Sequence, residues 1–242
     1  MHARMSTPEA ALLLANLAKV RSLRSSAALT AAQAQLRLRL RAWQATRFPR
    51  TYPDLLSSER YRPAAEFFLS DLYGPKDFSK RDTELERIVP ALTRILPAAA
   101  VHTLATAIEL DALSESLDAA MVSALRSAGL AADAQIGEAA YAAAYRACAN
   151  RPEREAQIAL TVEIGQALDA LTRKPLIRSA IGLMKRPAHM AGMAELHEFL
   201  ERGFSVFRHM KGAEEFLETI RDRETRIMLH LFDGRADPFG LD

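Results

Sequence analysis

Between Pro97 and Gly129 the chain runs through AAAVHTLATAIELDALSESLDAAMVSALRSA without one proline or glycine. Ala and Leu dominate the run, and both are strong helix formers. A proline in the first turn with a glycine just past the last is the asymmetry of a helix start and stop. The spacing predicts one helix from Pro97 to about Ala128, the longest of the chain, and so long a helix must be covered by others.

Its polar residues fall into two stripes at helical spacing. His102, Thr106, Glu109 and Ser116 share one side, and Asp111, Glu115 and Asp118 share the opposite one. Leu110, Leu117 and Met121 fill one flank between them, and Val101, Leu104 and Ile108 the other. Two apolar flanks mark a central helix with neighbours on both. The acidic stripe is the expected solvent face, which turns His102 and Glu109 inward.

Other helices are predicted by their caps. Thr7 with Pro8 opens one that runs to about Arg24. Thr30 with Gln33 three residues on is a capping box for a helix to about Arg47, with Leu29, Leu36, Leu40 and Trp43 on its core face. Within it, QLRLRLRAW also alternates with period two, so a strand competes there. Pro49 and Pro53 break the chain, and a short helix from Arg62 to Tyr73 stops at Gly74-Pro75. Thr83 and Glu86 cap a helix to Leu96, kinked or split at Pro90.

Further helices are predicted at about 133–148, 152–173, 175–185, 188–210 and 213–232, the second capped by Asn150 with Glu153. The last two read as an antiparallel pair. Leu196, Phe199, Leu200, Phe204, Phe207 and Met210 form one face, and Phe216, Leu217, Ile220, Ile227 and Leu231 the other.

No heptad persists beyond three turns and no fixed-period repeat occurs. Val and Ile are sparse, Gly is scarce, and 49% of the 242 residues are hydrophobic, enough for a sizeable core. The expectation is an all-α fold, a compact array of about nine or ten helices in a single domain.

Charge divides this domain. Residues 1–62 hold eleven Lys/Arg against three acidic residues, residues 63–173 hold ten against sixteen, and the C-terminal helical pair in 174–242 balances at eleven each. The basic part can meet a polyanion or nucleic acid through Arg37, Arg41, Arg47 and Arg50, close to Trp43, Phe48 and Tyr52. It can also dock on the acidic middle of its own chain, which is the preferred reading because the two lie in one compact domain.

Arg outnumbers Lys 26 to 6, a bias that reads as an Ala/Arg-rich bacterial proteome. The single cysteine, Cys148, has no partner for an intrachain disulfide and reads as a small core residue, which fits a reducing, cytoplasmic compartment. An apolar run after Pro8 and Glu9 imitates a signal peptide but is interrupted by Asn16 and Lys19. No stretch approaches the roughly 20 apolar residues of a membrane span.

No motif names a reaction, cofactor or metal. HExxH is absent, no histidine follows a Glu by three positions, and there is no phosphate loop or nucleophile elbow. His189 lies on an apolar face near Met190 and Met193, where a haem ligand or a packed side chain both fit. His197 and His209 point to the charged side, and His230 sits near Arg223 at a helix edge. Asp71, Tyr73, Asp77, Arg81 and Asp82 crowd the turn DLYGPKDFSKRD, as site rims and ordinary helix ends both do.

The run FFLSDLYGPKDFSKRD, followed by ERIVP and IELDALSESLD, resembles a family of uncharacterised bacterial proteins over roughly residues 62–118. The resemblance implies an all-helical bacterial protein and carries across no activity or site residue.

The leading expectation is a cytoplasmic, non-catalytic helical protein that binds a small ligand in an internal pocket or a protein partner, with a homodimer compatible. His102, Thr106 and Glu109 are its expected pocket wall, with Tyr73 nearby. The competing expectations are an enzyme using His102 and Glu109 as acid and base, and the polyanion binder.

Overall fold

The computed structural model describes residues 8–24, 30–69, 89, 97–190, 192 and 194–240, apart from the side chains at 9, 10 and 196. Among these, ten helices follow in order: α1 (Pro8–Arg24), α2 (Ala31–Thr51), α3 (Pro53–Ser57), α4 (Arg62–Phe67), α5 (Ala98–Ser127), α6 (Glu138–Ala147), α7 (Arg151–Thr172), α8 (Pro175–Met190), α9 (Ala194–Met210) and α10 (Glu214–Asp233). The described part is an all-α array with no strand. The helix expected to end at Leu96, with its Thr83–Glu86 cap, lies outside the described residues, as do Tyr73 and its turn.

The run QLRLRLRAW is helical. Thr30 accepts from the Gln33 amide while the Gln33 side chain accepts from the Thr30 N–H, a complete capping box that sets the period at its start. α2 also continues past Arg47 to Thr51, with Pro49 inside it. Pro49 lies in the last turn, where it removes one backbone bond and only Arg50 and Thr51 follow it in the helix. α5 begins after Pro97 and ends before Gly129, whose φ of +82° is left-handed backbone that glycine adopts without strain.

Other boundaries move. α6 starts at Glu138, after turns that occupy the predicted first part of that helix, and α8 runs through Pro187 to Met190. Asn150 sits at the N-cap of α7 without a side-chain capping bond.

α5 is the central helix, packed by α1, α2, α6 and α7. Leu13, Leu17 and Val20 of α1 meet Ala105, Ile108 and Ala112 of α5, where two alanines let the helices approach closely. A second core joins Leu36 and Leu40 of α2 to Met121 and Leu125 of α5, Tyr141 and Tyr145 of α6 and Ile227 to Leu231 of α10. A third, aromatic core gathers Phe48, Tyr52, Phe67, Phe68, Phe207 and Phe216 where α2, α4, α9 and α10 converge.

The expected pairing of α9 with α10 is corrected. α9 packs on α8, α4 and α7, and α10 packs on α7 and α6. Their aromatic faces share a core only near their junction, because Lys211 and Gly212, both at positive φ, turn the chain sharply between them. α7 supplies the surface both helices use. Its Gly165 lies directly under Leu217 of α10, where an added methyl group would require the Leu217 side chain to shift.

Candidate functional site

On α5, Asp111, Glu115 and Asp118 lie at i, i+4 and i+7. On α2, Arg37, Arg41 and Gln44 have the same spacing. Two helices with matching stripes can mate side chain to side chain, and these do. Arg24 at the end of α1 reaches Asp111 at 2.5 Å and Glu115 at 2.7 Å. Arg41 reaches Glu115 at 2.5 Å and Asp118 at 3.2 Å, and Gln44 donates to Asp118 at 3.2 Å. Arg37 takes the other Glu115 oxygen while its Nη1 donates to the Leu23 carbonyl at 2.9 Å.

Glu115 is 2% exposed at the centre of three guanidinium groups. The acidic stripe expected to face water is therefore interior, because a buried carboxylate is tolerable when fully paired and α1 and α2 bring the pairs. Burial, then Arg41 and Arg24, pull Arg37 down to about 10 against Asp118 and Asp111, which still leaves it charged at neutral pH.

Below this cluster lies a second polar layer. Arg47 holds both oxygens of Glu224 at 3.0 Å, and the Tyr52 hydroxyl donates to the same carboxylate at 2.7 Å. Burial opposes the Arg47 charge, but Glu224, then Tyr141 and Tyr52, outweigh it and raise its pKa. Trp43 stacks on Tyr141 with ring centroids 4.0 Å apart, and Phe239 packs edge-on against Trp43. On α7, Arg154 lies over the Tyr145 ring at 4.5 Å. Its Nη1 donates to Gln157 Oε1 at 3.3 Å, and Gln157 Nε2 donates to Ser114 Oγ at 2.9 Å.

Between the two layers is a cavity of about 240 Å³. Arg24, Arg41, Arg47 and Arg154 line it with Asp111, Glu115, Asp118 and Glu224, and Ile158, Ile227, Leu231, Phe68, Phe199 and Phe239 add an apolar wall. Burial pushes the Tyr141 and Tyr145 phenols above their ordinary range, in part offset by Arg154. All four lining carboxylates are tied to guanidinium groups other than Arg154.

The residues named from sequence fall elsewhere or serve differently. His102 and Glu109 are exposed, and His102 lies 3.8 Å from an exposed Glu163. Thr106 is buried, but its hydroxyl donates to the His102 carbonyl of its own helix at 3.1 Å. None of the three lines the cavity. Arg41 and Arg47 do line it, Arg37 backs Glu115, and Arg50 is exposed and paired with Glu138 at 2.7 Å.

His197, expected on the charged side, is buried with Nε2 2.8 Å from the Ile181 carbonyl, because α8 covers that side of α9. The exposed His189 has its ring 6.3 Å from that of His197. His209 contacts the Glu59 carbonyl at 3.2 Å. Among the described residues no cluster of His, Cys, Asp and Glu could hold a metal. Cys148 lies half-buried against the Met121 sulfur at 3.8 Å, and burial pushes its thiol up.

Sequence reasoning missed Arg24, Asp111, Glu115, Asp118, Tyr141, Tyr145, Arg154 and Glu224. The available signal was the shared spacing of the α2 and α5 stripes. Arg154 and Glu224 gave none, since each is one charge in a helix full of them.

No curated protein and no solved structure matches the chain. A family model described as a domain of unknown function matches residues 23–238, which takes in the whole charge network from Arg24 to Glu224, and the chain belongs to that family, DUF8198.

Proposed function

We propose that this chain is a bacterial, cytoplasmic protein that binds a small molecule in the cavity between α2, α5, α6, α7 and α10, without catalysing a reaction on it. The observation that carries the reading is the combination of an apolar wall with the buried, incompletely satisfied Arg154 in one cavity of about 240 Å³. Ligand sites are largely apolar concavities with a few placed polar groups, as here. The volume suits a small molecule and not a peptide or a nucleic-acid strand.

An acid–base pair of His102 and Glu109 loses support from their exposure and their distance from the cavity wall. The polyanion reading loses support because Arg37, Arg41 and Arg47 are committed to internal carboxylates. No helix among the described residues is long and apolar enough to cross a membrane.

Native mass spectrometry of freshly purified protein tests the proposal against its denatured mass. A reproducible excess mass on the native monomer, lost on denaturation, is the expected result. A bare monomer that also shows no thermal stabilisation across a library of small metabolites would overturn it, and a bare dimer would direct attention to a protein partner.

A further inference from the structure

Arg154 is 6% exposed, and its guanidinium is fixed on two sides. One face lies over Tyr145, and Nη1 is held by Gln157, itself anchored on Ser114. The remaining edge, Nε and Nη2, has no hydrogen-bond partner. Those two N–H groups point in parallel from one side of the guanidinium plane, the arrangement that grips two oxygens of one carboxylate. A second unpartnered donor, Arg47 Nη1, belongs to the same lining.

Charge counting leads to the same residue. The lining carries Arg24, Arg41, Arg47 and Arg154 against Asp111, Glu115, Asp118 and Glu224, and Arg37 backs Glu115 from behind. Among the described residues five cations meet four anions, and of the five only Arg154 has no described carboxylate within salt-bridge distance. A buried cation without a counter-charge is costly, so the site as it stands is complementary to one negative charge.

Building on the small-ligand reading above, we infer that the cavity takes a monocarboxylate with an apolar body, its carboxylate held side-on by Nε and Nη2 of Arg154 and its body against Ile158, Ile227, Leu231 and Phe239. One surplus positive charge matches a monoanion, whereas a phosphate dianion would leave the cavity net negative. Two oxygens of either a carboxylate or a phosphate can meet one guanidinium edge, so the choice of headgroup rests on the charge count.

The sole tryptophan, Trp43, stacks on Tyr141 and touches Phe239, both cavity residues, so its fluorescence reports occupancy. The test is titration of the dialysed protein with benzoate, phenylacetate and octanoate, each beside its neutral amide, together with inorganic phosphate and phenyl phosphate. Thermal shift provides the second readout. At least one acid is expected to bind at least tenfold more tightly than its amide and more tightly than either phosphate. Arg154→Gln should abolish that preference at an unchanged circular dichroism spectrum, and Arg154→Lys should retain only part of it.

An amide that binds as well as its acid, or a preference that survives Arg154→Gln, would overturn the carboxylate anchor while leaving the small-ligand reading standing. Tighter binding of phenyl phosphate would overturn the choice of headgroup. If no acid or amide binds, the carboxylate reading falls, and if in addition no mass is retained in native spectrometry and no metabolite of the library stabilises the protein, the small-ligand reading falls with it. The acid-to-amide comparison on the unmodified protein decides the matter even if Arg154→Gln does not fold.

Discussion

Arg24, the last residue of α1, donates through Nε to Glu115 in the middle of α5 at 2.7 Å, across 91 positions of sequence. The same carboxylate receives Arg41 and Arg37 from α2, so one acidic side chain ties three helices together. Removing Glu115 would leave the buried Arg37 without a carboxylate and take one of two carboxylate partners from Arg24 and from Arg41. Glu115→Ala is therefore expected to cost about 3–5 kcal/mol, read from urea denaturation. Replacing Glu115 and Arg37 together by leucine should recover part of that loss, since a paired apolar substitution leaves fewer charges stranded.

Gly165→Ala sets two effects against each other. Alanine improves helix propensity by about 1 kcal/mol, but its methyl group would run into the buried Leu217 side chain, and overpacking costs about 1–3 kcal/mol. The expected outcome is net destabilisation in the native background. In a Leu217→Ala background the sign should reverse, with Gly165→Ala raising the melting temperature; equal effects in both backgrounds would show that Leu217 yields freely.

Alkaline pH should weaken the fold through Tyr141 and Tyr145. Burial raises both phenols, so the folded chain keeps protons that the unfolded chain releases from about pH 10 upward, and stability falls as pH rises through that range. Arg37, pulled down to about 10, acts in the opposite sense above that pH because the folded chain gives up its proton first. Urea midpoints from pH 8 to 11 should show a flatter dependence for Tyr145→Phe than for the unmodified protein, which isolates the phenol.

His102→Ala and Glu109→Ala should each change stability by less than about 0.5 kcal/mol, as exposed substitutions usually do. The exposed His102–Glu163 pair adds little, because water screens it. Neither variant should alter binding of a small acid in the Trp43 assay. A loss of binding in either would return them to the site.

Helix identity was legible because it is local. Proline at 97 and glycine at 129, the Thr30–Gln33 box, and the limits of α1 and α10 each depend on residues within a turn or two, and the structure places them where those residues say. The facing of helices was not legible, and α5 shows why. Taken alone, the acidic stripe is the more polar of its two and so the expected solvent face. The choice of which one is buried was made by Arg24, Arg37 and Arg41 arriving from other helices, since burying Asp111, Glu115 and Asp118 is favourable only with opposite charges in place. Arg154 likewise reads as one of 26 arginines until α7 packs against α5 and α10 and encloses it. Local hydrogen bonding is written in neighbouring residues, whereas the cost of burying a charge depends on partners that only tertiary packing supplies.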